Sequence, residues 1–172
     1  MSRAYIPTSI WDALKENYID QVNNIKMGDP EDFSNFMNAV IDKSAFDSIA
    51  EFIDFAHDSN DAEILTGGKY NDDKGYFIEP TTILTSNPKF RTMCEEIFGP
   101  VLGILTVKND EEALKVASNS KYGLHASVFT QDINRAFHLA KSLPCGTVSV
   151  NTFSEGDIKT PFGGYKQSGS LS

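Results

Sequence analysis

The amino-acid sequence predicts an α/β fold with a mostly parallel sheet, flanking helices and a small antiparallel addition. Amphipathic helical repeats occupy the beginning of the chain, and strand-like runs separated by turn residues follow them. From Val101 onward, strands alternate with helices of about ten residues. This alternation indicates right-handed crossovers and therefore parallel strands.

The first elements are a short extended run, Arg3–Pro7, and an amphipathic helix. Residues 7–9 supply a turn and a cap, and the apolar side chains of the helix repeat at helical spacing at Ile10, Trp11, Leu14, Tyr18, Val22 and Ile25. The segment 27–32 ends this helix, because Gly28 favours a left-handed stop and the residue before Pro30 avoids helical backbone.

A second helix is predicted over residues 42–57. Its apolar side chains fall on one face, at Phe46, Ile49, Ile53 and Ala56. Ser44 and Asp47 have the spacing of a capping box near its start. The sequence therefore predicts two helices before the first long strands.

The antiparallel addition is predicted between residues 63 and 84. The run 63–66 ends at Gly67 and Gly68, and the run 77–84 has the β-branched content of a strand. Residues 71–75 between them have turn chemistry, which indicates a hairpin-like pairing.

The second half of the chain alternates between strands and helices. Strands are predicted at Val101–Val107, 126–130 and 147–151, and helices at Asp110–Ser118 and 132–143. Asn109 and Asp132 are the expected N-caps, since their short side chains accept hydrogen bonds from the first turn.

Composition restricts the classes of function. A chain of 172 residues fits one domain, 1–172, and its formal net charge of -9 argues against nucleic-acid and membrane partners. Its two cysteines and three histidines share no metal-ligand spacing, so neither a metal site nor a disulfide framework is predicted. Without a secretory signal or a long apolar stretch, the expected location is intracellular, in the cytoplasm or the mitochondrial matrix.

Two motifs are candidates for binding chemistry. Glu95 and Glu96 precede a Gly-Pro turn, and a carboxylate in such a place either holds a ribose diol or belongs to a solvated acidic pair. The glycine-rich segment 161–169 is not a phosphate loop, because Lys166 does not lie directly between a glycine and Ser or Thr. It is either part of a site or a turn that lets backbone approach another element.

Together these motifs resemble the aldehyde dehydrogenase family, through Glu95-Glu96-Ile97-Phe98-Gly99-Pro100-Val101 and Pro161-Phe162-Gly163-Gly164-Tyr165-Lys166-Gln167-Ser168-Gly169. The resemblance covers nearly the whole chain. The first half is similar to Δ1-pyrroline-5-carboxylate dehydrogenases, which oxidise glutamate semialdehyde to glutamate with NAD. The ending, where Tyr165 follows Gly164, is similar to broad-specificity, betaine-aldehyde and γ-aminoaldehyde dehydrogenases.

The resemblance implies roles for six residues. Glu96 is expected to hold the nicotinamide ribose of NAD, with Phe98 packed beside the nicotinamide. The expected aldehyde pocket contains Phe162 and Gly164, together with Tyr165 and an aromatic wall at Phe153.

The resemblance also implies that no catalytic residue lies in this chain. The nucleophilic cysteine, the general-base glutamate and the Rossmann-type cofactor domain of the family precede the matching region, and neither Cys94 nor Cys145 has the surroundings of a nucleophile. The expected function is thus the catalytic-domain portion of an NAD(P)-dependent aldehyde dehydrogenase, inactive alone, with NAD as cofactor of the complete enzyme. It would form a homo-oligomer or join a missing companion domain. The alternative is a free-standing, non-catalytic domain that acts by binding or self-association.

Overall fold

The computed structural model describes residues 1–153, 156 and 158–169. The chain forms two compact units, Met1–Lys108 and Asn109–Ser172. The predicted α/β class with a mostly parallel sheet is confirmed, whereas the organisation of residues 1–172 as a single domain stays a prediction. No helix within the described ranges is long and apolar enough to cross a membrane.

The first unit is built around a four-stranded sheet. Its elements are β1 (Arg3–Pro7), α1 (Thr8–Asn23), α2 (Lys43–His57), β2 (Ala62–Thr66), β3 (Tyr70–Asn71), β4 (Phe77–Ile78), β5 (Thr81–Thr85), α3 (Arg91–Cys94) and β6 (Val101–Val107). The strand order is β1-β6-β5-β2, with β6 parallel to both neighbours and β2 antiparallel to β5. Ile83 on β5 and Ile104 on β6 are fully buried at the centre of this sheet.

Helix α2 has the predicted apolar face but a different cap. Phe46, Ile49, Ile53 and Ala56 are all buried, as their helical spacing indicates. The Asp42 carboxylate accepts a hydrogen bond from the Ala45 backbone N–H at 2.8 Å, so the cap precedes Ser44.

Helix α1 also differs from the prediction at both ends. Thr8 is its first residue and donates its hydroxyl to the carbonyl of Val107 instead of capping the helix. The helix ends at Asn23, two residues before Ile25. The helical periodicity identified the element and not its boundaries.

The antiparallel addition is confirmed as two strand pairs, β2 with β5 and β3 with β4. The predicted strand 77–84 is divided, because the backbone changes its partner around Pro80, which has no N–H. The N–H of Glu79 donates to Lys69, whereas that of Thr81 donates to Pro100.

The second unit contains α4 (Asp110–Ser118), β7 (Tyr122–Gly123), β8 (His125–Val128), α5 (Ile133–Ser142), β9 (Thr147–Val150) and β10 (Tyr165–Lys166). Strands β8 and β9 are parallel, as the strand–helix alternation predicts, and they pair with each other, while β6 pairs with β1 and β5. Asn109 and Asp132 cap their helices as expected, and Arg135 on α5 forms an ion pair with Asp110 on α4.

Candidate functional site

The predicted cofactor residues lie between α3 and β6, on a segment whose side chains alternate between core and surface. Ile97 is buried, with 5% of its surface exposed, whereas Phe98 beside it is 87% exposed. Glu96 on the other side of Ile97 is exposed as well. A carboxylate and an aromatic ring are therefore presented outward together.

The two acidic residues of this segment have different surroundings. Glu95 is held by Arg91, whose Nε lies 3.1 Å from Glu95 Oε1. Glu96 has no hydrogen bond or ion pair within the part of the chain that the structure describes. Its oxygens thus remain available to accept hydrogen bonds from a diol.

The backbone after Ile97 makes a close turn against helix α2. Phe98 has a left-handed backbone with a φ of 56°, which residues other than glycine rarely adopt. A Cβ at Gly99 would lie 2.4 Å from Ile49 Cδ1, so any larger residue there would displace the buried Ile49 side chain. The carbonyl of Pro100 then accepts from Thr81 and aligns the chain with β5.

The glycine-rich segment is docked on the strand and loop residues of its own unit. Strand β10 pairs with β7, and the Ser168 hydroxyl accepts from the N–H of Gly123 at 3.1 Å. A Cβ at Gly146 would lie 1.8 Å from the carbonyl oxygen of Gly163, so here two backbones meet directly. The sequence left open whether this segment is a tight turn or a site, and its contacts are those of a tight turn.

The predicted pocket residues of this segment differ in exposure. Phe162 projects from the turn with 78% of its surface exposed, and Tyr165 is 44% exposed. Gly164 between them is buried, and a Cβ there would lie 2.7 Å from the carbonyl oxygen of Ser168. Gly164 consequently supports the turn, while the two aromatic residues face outward.

Phe153 lies beside a second outward-facing ring. Its ring centroid is 5.0 Å from that of Phe129. Asn151, two residues before Phe153, has a φ of 57°. Its side-chain amide accepts a hydrogen bond from the Thr130 N–H and donates one to the Thr130 carbonyl, both at 2.9 Å. These contacts direct the chain away from the end of β9.

A concavity of about 480 Å³ adjoins this turn, lined by Phe129, Thr130, Gln131, Ile133, Ala136, Val150 and Asn151. The sequence does not predict this concavity, although Asn151 is the last residue of the predicted strand 147–151. Its lining comes from two separate stretches of chain, residues 129–136 and 150–151, so no single local pattern predicts it.

The two cysteines have different surroundings, and their lack of a nucleophilic role stays a prediction. Cys94 is exposed and its thiol donates weakly to the carbonyl of Pro88, at 3.6 Å. Burial raises the pKa of the Cys145 thiol, which disfavours the reactive thiolate. No group of His, Cys, Asp and Glu side chains among the described residues is placed to hold a metal ion.

The predicted site residues therefore fall into two groups. Glu96 and Phe98 belong to the unit Met1–Lys108, and Phe153, Phe162, Gly164 and Tyr165 belong to Asn109–Ser172. Each group presents aromatic side chains to the surface of its own unit.

Comparisons with known proteins agree on one family. Residues 1–170 match the aldehyde dehydrogenase family. A mitochondrial Δ1-pyrroline-5-carboxylate dehydrogenase from Dictyostelium discoideum is 42% identical, over 98% of this chain and 31% of that protein. An aldehyde dehydrogenase from Davidiella tassiana is 40% identical, over 98% of this chain and 34% of its own length.

Solved structures give the same result. Betaine aldehyde dehydrogenase from Staphylococcus aureus in complex with NAD+ superposes with a TM-score of 0.92 at 37% identity, covering 98% of this chain and 34% of that one. A mutant of an aldehyde dehydrogenase from Bacillus cereus superposes with a TM-score of 0.93 at 32% identity, with the same two coverages. The chain thus spans about a third of the length of the relatives it matches.

Proposed function

Since the chain belongs to the aldehyde dehydrogenase family, we propose that it is the part of an NAD(P)-dependent enzyme that holds the nicotinamide ribose and one wall of the aldehyde pocket. The observation that carries this proposal is the Glu96 carboxylate. It is exposed, lacks a partner among the described residues, and lies two positions from an exposed aromatic ring.

These two side chains fit a nicotinamide riboside. Glu96 would hold the ribose by accepting hydrogen bonds from its hydroxyls, and Phe98 would pack beside the nicotinamide. NAD, when bound, accepts the hydride of the aldehyde. The chain's own contribution is to place the ribose, because Glu95 and Ile97 hold the backbone on both sides of Glu96.

The aldehyde is proposed to pack against Phe162, with Phe153 as a further aromatic wall. The similarity to the Dictyostelium protein supports glutamate semialdehyde as substrate. Tyr165 opposes it, because a bulky phenol directly after Gly164 would obstruct an amino-acid-like substrate. An aldehyde that has no α-carboxylate would avoid this obstruction by Tyr165.

The cellular location is proposed from the same comparison. The mitochondrial relative supports the mitochondrial matrix, with the cytoplasm as the alternative.

Binding of nicotinamide mononucleotide tests the proposal on the 172-residue chain, since this probe lacks the adenosine half of NAD. We expect it to shift the backbone amide resonances of residues 96–99. Glu96→Gln removes the charge from a hydrogen-bonded acceptor, which costs about 1.5 kcal/mol or more, so the affinity falls roughly tenfold.

The matched control is Glu16→Gln, which neutralises an exposed carboxylate on α1. It is expected to leave the affinity unchanged. Equal affinity of wild type and the Glu96→Gln variant, or no shift at saturating probe, would contradict the proposal.

A second function is favoured by one observation on the loop before α2. Phe33, Phe36 and Ile41 are 98%, 82% and 91% exposed, and a contiguous exposed apolar patch marks an interaction surface. The alternative is therefore an aldehyde-dehydrogenase-like domain that acts by self-association. Light scattering tests it: a defined oligomer that Phe33→Ser and Ile41→Ser dissociate supports this function, and a monomer contradicts it.

A further inference from the structure

We propose that Arg91 is a positioning residue that sets the orientation of Glu96 and Phe98 by fastening Glu95 to helix α2. The positioning is argued from contacts within the unit Met1–Lys108. Only what Glu96 and Phe98 bind rests on the function proposed above.

The Arg91 guanidinium contacts four side chains at once. Its Nη1 donates to Glu51 Oε1 at 2.9 Å and its Nε to Glu95 Oε1 at 3.1 Å. The Cζ of the same group lies 4.3 Å from the ring centroid of Phe52 and 5.2 Å from that of Phe55. Arg91 thereby connects the segment before β6 with helix α2, which carries Glu51, Phe52 and Phe55.

This set of contacts needs arginine. A guanidinium is planar and has several donors in fixed directions, so it bonds two carboxylates while its face stacks on aromatic rings. A lysine ammonium is a point charge that cannot stack in this way. The hydrogen bonds with Glu95 and Glu51 raise the pKa of Arg91 above its ordinary value, so its charge is retained at every physiological pH.

The contact between Arg91 and Glu95 also affects Glu96 and Phe98, because Glu95 lies in the same segment, residues 95–99. Three residues fasten the segment to α2 or the core: Glu95 through Arg91, Ile97 by burial, and Gly99 by its contact with Ile49. Glu96 and Phe98 lie between these points and have no side-chain bonds of their own within the described ranges. Their directions therefore depend on how firmly their neighbours are held.

Among these three attachments, the Arg91 link is the one made by charged side chains. Ile97 and Gly99 act through packing, which holds the backbone on the Phe98 side of Glu96. Glu95 holds it on the other side, directly after the four-residue helix α3. Loss of the link is consequently expected to loosen Glu96 more than Phe98.

The experiment compares three variants of the 172-residue chain by ¹⁵N relaxation. Arg91→Met removes the charge and keeps an apolar side chain on Phe52 and Phe55, and Arg91→Lys restores the charge. Arg135→Met is the matched control, because it breaks the ion pair with Asp110 in the other unit. The resonances of β5 and β6 report whether each variant is folded.

In Arg91→Met we expect increased backbone motion at residues 95–97, with β5 and β6 unchanged. Arg91→Lys should recover part of the rigidity, whereas Arg135→Met should leave this segment as in wild type. The dissociation constant of nicotinamide mononucleotide should rise by up to about fivefold in Arg91→Met, as expected from the loss of an exposed ion pair.

A purely structural role of Arg91 predicts a different pattern. The variant would then unfold at lower denaturant concentration while residues 95–97 keep wild-type relaxation, and this result would overturn the inference. If the wild-type chain does not bind the mononucleotide, the proposed function fails, but the relaxation of residues 95–97 still decides the role of Arg91. The two failures are therefore distinguishable.

Discussion

At the scale of single residues, the candidate site segments share an unusual backbone. Phe98, Asn151 and Lys166 are the residues other than glycine with positive φ in the part of the chain that the structure describes. Asn151 is held by its two hydrogen bonds with Thr130. Lys166 is held by two hydrogen bonds that its ammonium group donates to the carbonyls of Ser118 and Ser120, both at 2.8 Å. Such conformations cost about 1 kcal/mol or more each and cluster at functional sites.

A residue-scale prediction concerns Gly146. A Cβ there would lie 1.8 Å from the carbonyl oxygen of Gly163, and neither backbone can rotate away as a side chain would. We expect Gly146→Ala to destabilise the chain by about 1–3 kcal/mol and to separate the glycine-rich segment from its support. Chemical denaturation measures the first effect, and amide exchange of Gly123 and Ser168 measures the second.

Gly156→Ala is the control for this substitution, because no residue that the structure describes lies within 4 Å of the added methyl group. It should leave stability unchanged. A Gly146→Ala variant as stable as Gly156→Ala would show that the two backbones are further apart than described.

At the scale of elements, helix ends and helix pairs depend on short polar side chains. Asp42 caps α2, Asn109 caps α4 and Asp132 caps α5. Each side chain accepts a hydrogen bond from a backbone N–H in the first turn of its helix. Two of these caps were predictable, since Asn and Asp directly precede helical patterns. For the third, the sequence predicts Ser44 instead of Asp42, because the spacing of Ser44 to Asp47 is that of a capping box.

This disagreement is testable by substitution. Asp42→Ala removes the hydrogen bond to Ala45 and is expected to lower the free energy of unfolding by about 1 kcal/mol. Ser44→Ala, inside the first turn, should change it by only a few tenths of that amount. Denaturant unfolding of both variants provides the measurement, and the reverse order of effects would return the cap to Ser44.

The ion pair between α4 and α5 predicts a dependence on pH. Hydrogen bonds from Arg135 lower the pKa of Asp110 below its ordinary value. The stabilisation by this ion pair is therefore complete above about pH 4, which is the ordinary pKa of an aspartate in the unfolded chain. It is lost as the pH falls through the lower pKa of Asp110 in the folded chain. We expect the stability difference between wild type and Asp110→Asn to shrink in this acidic range.

Denaturation series between neutral and strongly acidic pH provide the measurement. Asp12→Asn is the control, since Asp12 is exposed and has no ion pair among the described residues. A stability difference for Asp110→Asn that stays constant to the lowest pH would exclude the Arg135 pairing as its cause.

At the scale of the whole molecule, the chain spans about a third of its relatives' length. The two groups of predicted site residues lie in two compact units, and burial raises the pKa of the Cys145 thiol. The attack on an aldehyde needs a thiolate nucleophile in this family, so the chain is proposed to supply binding and not bond formation.

We therefore expect the purified 172-residue chain to produce no NADH from glutamate semialdehyde or betaine aldehyde. NADH absorbance is the measurement, with a complete aldehyde dehydrogenase as positive control. Turnover that disappears in Cys94→Ser or Cys145→Ser would refute this prediction and identify the nucleophile.

Most of the fold was predictable from local sequence. The helical periodicity of α2 and the alternation of strands and helices after Val101 follow from which side chains must be buried, and burial has a period that the chain itself displays. The motif around Glu96 likewise identified the family, because its residues are contiguous. The roles of Glu96, Phe98 and Phe162 remain predictions.

Contacts between distant residues were decided by the tertiary structure alone. Arg91 and Glu51 are separated by 40 positions, and the approach of Gly146 to Gly163 joins two different loops. The division of strand 77–84 at Pro80 also depends on which strand lies alongside. Helical periodicity, helix caps and turns depend on residues that are close in sequence, so the sequence predicts them. The residues that contact Arg91 or Gly146 are distant in sequence, so only the packed chain determines which they are.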